Sequence, residues 1–82
     1  MKRRYWLYSS PSRTPNPDTD RAVFVRSTFK ELSDEIASCV RCGDTVLVVD
    51  KLRNVIIDHN EVIGIISRLG NAPLLNLNTS ST

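Results

Sequence analysis

The chain reads as a small α+β protein. A largely antiparallel four-stranded sheet carries one main helix (28–42) across a face and a second short helix (60–69). Three observations lead there. The stretch from Thr28 to Asp50 holds a complete helix signature followed at once by a β-branched run. Short apolar runs of strand length lie on both sides of it. The segments between these runs carry Pro, Asn, Asp or Gly, the residues of turns. With 82 residues there is room for one domain, taken as 1–70. A C-terminal tail, 71–82, is expected to be partly disordered, with Leu74, Leu75 and Leu77 as its apolar content.

MKRRYWLYSS opens as a basic lead and a first strand. Alternation puts Tyr5 and Leu7 on one side, Trp6 and Tyr8 on the other. This strand is expected at a sheet edge. PSRTPNPDTD (11–20) has three prolines, an Asn and two Asp, which exclude a helix or a central strand. Arg21 to Ser27 reads as a second strand running directly into the helix.

The main helix has Thr28 as cap and Glu31 three residues on, the spacing of a capping box. Phe29, Leu32, Ile36, Cys39 and Val40 recur at helical spacing. Gly43 supplies the left-handed residue that closes a helix. Val46 to Val49 then form a third strand with no polar interruption. Strands with one wet face alternate, so both faces of this one need cover. Candidates for the second face are the 60–69 helix, the C-terminal leucines or a second copy of the chain. Asn54 tolerates the left-handed turn that would pair Val55–Ile57 with the third strand. In 58–70, Asp58 and Glu61 form a second capping pattern and Val62, Ile63, Ile66 and Leu69 keep helical spacing. Gly64 and the β-branched majority argue for a strand instead.

Charge is nearly balanced, with 11 basic and 9 acidic residues and a net charge of +2, weaker than a dedicated nucleic-acid binder shows. The apolar runs are too short for a signal core or a membrane span. Two cysteines give no disulfide framework, so a reducing, cytoplasmic setting is expected. Cys39 and Cys42 make a CxxC at the wrong end of a helix for thiolate chemistry, where the dipole opposes the anion. Asp50, Asp58, His59 and Glu61 are the acidic cluster with a histidine. A hairpin would let Asp50 and Asp58 face each other at its open end, as a metal-dependent hydrolase would need. Capping and solvation account for the same residues more simply. No phosphate loop, dinucleotide fingerprint or zinc-protease motif is present, and no cofactor or catalytic set is expected.

The expected function is a small non-enzymatic protein-binding module, an inhibitor, adaptor or regulator of a larger protein. Its size matches the inhibitors that phages and mobile elements encode. Arg3, Arg4, Tyr5, Trp6, Tyr8, Arg13 and Arg26 are the expected partner-binding residues, because Trp, Tyr and Arg dominate binding energy at interfaces. Between Asp44 and Gly70, 13 of 27 residues are Val, Ile or Leu, so a homodimer is also expected. The alternative is a nucleic-acid-binding regulator that uses the basic–aromatic N-terminus.

Overall fold

The computed structural model describes residues 3–70. The expected tail 71–82 lies outside the described residues. Four strands form one antiparallel sheet: β1 (Tyr5–Ser10), β2 (Phe24–Arg26), β3 (Thr45–Asp50) and β4 (Val55–Ile57). Two helices, α1 (Phe29–Arg41) and α2 (His59–Arg68), complete the fold. The α+β class, the four strands and both helices agree with the sequence.

Strand order is β2-β1-β3-β4. The expected edge position of β1 is therefore wrong: it lies inside the sheet, paired to β2 from Tyr5↔Arg26 to Leu7↔Phe24 and to β3 from Tyr5↔Asp50 to Ser10↔Thr45. β2 and β3 both run antiparallel to β1 and so parallel to each other. Parallel strands need a long crossover, and the 13-residue helix α1 is that crossover. The edges are β2 and β4, three residues each. The second strand is shorter than the expected 21–27: Val23 N still donates to Leu7 O at 2.8 Å, but Ala22 before it packs against Tyr8, Leu47 and Val49.

α1 begins as its sequence requires. The Thr28 hydroxyl accepts from Glu31 N at 3.2 Å, and Glu31 Oε1 accepts from Thr28 N at 3.0 Å. Gly43 closes the helix end at φ 91°. Asp58 caps α2 by accepting from Glu61 N at 2.9 Å, and the helix tolerates Gly64 because Val62 and Ile66 bury its inner face. Thr28→Ala removes the acceptor of the Glu31 N–H at an exposed helix start. It is expected to cost about 1 kcal/mol, seen as a fall in melting temperature of about 5 °C.

Both helices lie on one face of the sheet. Leu7, Val46, Val48 and Ile57 from the strands meet Leu32, Ile36 and Val40 of α1 and Val62 and Ile66 of α2. Seven of these are fully buried, each contributing about 1.5–3 kcal/mol of transfer free energy. Cys39 packs at the margin of this core, and Cys42 is an exposed free thiol at the helix end.

α2 therefore does not cover the second face, contrary to one expectation. On that face Tyr8, Leu47 and Val49 are buried together, with Trp6 and Ala22 packed against them. The connection 11–23 supplies the cover. Ala22 belongs to it, Pro15 within it is buried, and burial together with the charge of Asp18 pushes the Tyr8 phenol above its ordinary value of 10. Prolines suit such a cover, because they need no strand partner for a backbone N–H.

Candidate functional site

One end of the sheet gathers most of the residues expected to bind a partner. Arg4 donates from Nε and Nη2 to the two carboxylate oxygens of Asp50, both at 2.8 Å. Asp50 is buried, and its Oδ1 also accepts from Leu52 N at 3.1 Å and Arg53 N at 3.2 Å. One carboxylate thus takes two bonds from the first strand and two from the turn that follows its own strand. These bonds, the guanidinium first, hold the Asp50 carboxyl down to about 2 from an ordinary 3.8. The turn 51–54 closes with Asn54 at φ 59°, the left-handed residue expected there. Lys51 N also donates to Arg4 O at 2.8 Å, which continues the β1–β3 ladder past the strand ends.

This clamp presents the turn in a fixed shape. Leu52 at its tip is 72% exposed, the most exposed of the large apolar residues described. Beside it opens a cleft of about 680 Å³ lined by Arg3, Arg4, Thr28, Glu31, Lys51 and Leu52. Among the described residues, Arg3 and Lys51 have no carboxylate partner.

The aromatic rings here are all engaged. Tyr5 meets Phe29 edge-on at 5.3 Å and lies under the Arg4 guanidinium at 4.9 Å. Trp6 is half-buried with Lys51 Nζ 4.6 Å above its ring. Tyr8 is only 3% exposed and offers no surface to a partner.

Of the two remaining expected residues, Arg13 lies apart from this end, whereas Arg26 stands in it, opposite Tyr5 and accepting at its carbonyl from Arg4 N at 3.0 Å. Arg13 is held by both oxygens of Asp20 at 2.9 Å, a pair that organises the 11–23 connection together with Asn16 N. Arg26 sits over Phe24 at 5.2 Å, with Glu35 Oε1 4.0 Å away.

The acidic cluster does not assemble. Asp50 pairs across the sheet with Val55 at the turn, whereas Asp58 lies beyond the far end of β4. The expectation that these carboxylates face each other is overturned, because the hairpin turn closes immediately after Asp50. Nδ1 of His59 accepts from Val46 N at 3.1 Å, at the opposite end of β3 from Asp50. Among the described residues, no three His, Cys, Asp or Glu side chains come together as a group that could hold a metal ion. Nor does any described helix have the length and apolarity to cross a membrane.

Sequence reasoning missed the Arg4–Asp50 clamp and the Leu52 tip. Asp50 directly before a turn was a local signal for the two backbone bonds, since Asp favours such positions. Arg4, 46 residues away, carried none. No family model, no curated protein and no solved structure matches this chain.

Proposed function

We propose that this chain is a small non-enzymatic protein-binding module, an inhibitor, adaptor or regulator that docks through the turn 51–54 and the basic cleft beside it. The observation that carries this reading is Leu52. A large apolar side chain stands free at the tip of a turn whose backbone the buried Asp50 already holds. A pre-shaped tip loses little freedom on binding, so more of its contact energy becomes affinity. Arg3 and Lys51 flank the tip, which favours a partner with an apolar pocket rimmed by carboxylates.

The same geometry speaks against the nucleic-acid alternative. Single-strand binding relies on open ring faces for bases to stack on. Here the rings of Tyr5 and Trp6 already carry cations, and Tyr8 is buried. The free thiols Cys39 and Cys42 fit a cytoplasmic setting.

Leu52→Asp tests the reading. The side chain is exposed, so the variant is expected to fold with an unchanged circular dichroism spectrum and melting temperature. Affinity capture with mass spectrometry from the native cell should then lose the partner that the wild-type chain enriches. The same partner list for both chains would sink the proposal. So would a gel shift of single-stranded nucleic acid at low salt that Arg3→Ala and Lys51→Ala abolish.

A further inference from the structure

We propose that β4 is the pairing edge of a homodimer, in which two copies join β4 to β4 antiparallel about a two-fold axis at Ile56. This inference does not rest on the docking role of Leu52. It rests on the sheet register, on what β4 exposes and on the charges at its two ends.

On the face away from the helices, one apolar row crosses the whole sheet. Val25 pairs with Trp6, Trp6 with Val49, and Val49 with Ile56. Val49 in mid-row is buried. The row then stops at the sheet edge with Ile56 57% exposed, beside Val55 at 47%. A two-fold axis through a sheet edge leaves each residue on its own face of the sheet. An axis at Ile56 therefore sets Ile56 against Ile56 of the partner subunit and carries the row on through the second sheet. Val55 then lies opposite Ile57 of the partner subunit. Unpaired edge strands template this kind of addition, and opposed β-branched pairs stabilise it.

The charges favour a second copy over another occupant. The turn before β4 carries Arg53, which has no carboxylate partner among the described residues. The residue after β4 is the exposed Asp58. Antiparallel pairing reverses one strand against the other, so the Arg53 end of each copy meets the Asp58 end of its partner. The surface is thus self-complementary, as a two-fold interface must be. The other edge, β2, lacks this match: it holds Arg26 within its three residues, and Phe24 already lies under that guanidinium.

The test uses the full chain in size-exclusion with light scattering. A dimer is expected for the wild type, and a monomer with unchanged circular dichroism for Ile56→Lys. Position 56 also reports the register. Opposed residues at the axis have Cα atoms about 4.5–5.5 Å apart, within reach of a disulfide. Ile56→Cys, made together with Cys39→Ser and Cys42→Ser, should therefore oxidise to a covalent dimer. A wild-type chain that stays monomeric at several hundred micromolar overturns the proposal, whatever else covers β4. A dimer that survives Ile56→Lys overturns it as well.

Discussion

Asp50→Ala is expected to lower stability by about 2–4 kcal/mol, because it removes the acceptor of four hydrogen bonds and leaves a part-buried guanidinium without its anion. The loss should be uneven. Leu52 and Arg53 lose the bonds that hold the turn, so their amides should exchange with solvent faster than those of β1 and β3. Acid provides a second measurement. The Asp50 carboxyl titrates near 2 in the folded chain and near 3.8 when unpaired. The unfolded state therefore binds the proton more readily. The stabilisation is complete above the unfolded value and is lost as pH falls through the folded one. Wild-type melting temperature should drop between about pH 4 and pH 2 by more than that of Asp50→Asn. The comparison isolates Asp50, since Asp20, also lowered by its partner Arg13, is present in both chains. Equal acid profiles would show that the clamp contributes nothing.

Leu7→Ala is expected to be the most damaging change of similar chemistry. Leu7 is fully buried on the interior strand and packs into the core that both helices close. Removing its branch costs transfer free energy and leaves a cavity between sheet and helices, together about 2–5 kcal/mol. A chain of 82 residues has about 4–12 kcal/mol to lose. The variant should show a large shift of its urea midpoint with little change in slope. A shift as small as that of Thr28→Ala would mean that the helices do not pack on β1 as described.

Much of this fold was legible because its signals are local. Thr28 and Glu31 announce the start of α1, Gly43 its end, Asn54 the turn and Asp58 the start of α2, and each acts within four residues of itself. The unbroken run Val46–Val49 also gave a sound inference, that both faces of β3 are covered. What covers the second face was not legible. A proline-rich stretch looks like a loop whether or not it lies across a sheet, and only the burial of Pro15 and the packing of Ala22 distinguish the two. Strand order was hidden for a similar reason. β1 is interior because α1 carries the chain over it to place β3 on its far side, and nothing in YWLYSS records that crossover. The site shows the same division. Arg3, Arg4 and Trp6 stand out by residue type, whereas their assembly with Lys51 and Leu52 depends on the Arg4–Asp50 pair, which spans 46 positions.

The interior place of β1 has a further consequence, for how the chain comes off the ribosome. Tyr5–Ser10 emerges before its partners on β3, which are made 35 to 45 positions later. At about 5–20 residues per second, the strand spends a few seconds of synthesis with that side unpaired. In that interval Tyr5, Trp6, Leu7 and Tyr8 lack the cover that β3 gives them in the folded chain. Arg3 and Arg4 stand directly before this strand, and flanking charges of this kind oppose the association of a bare apolar strand.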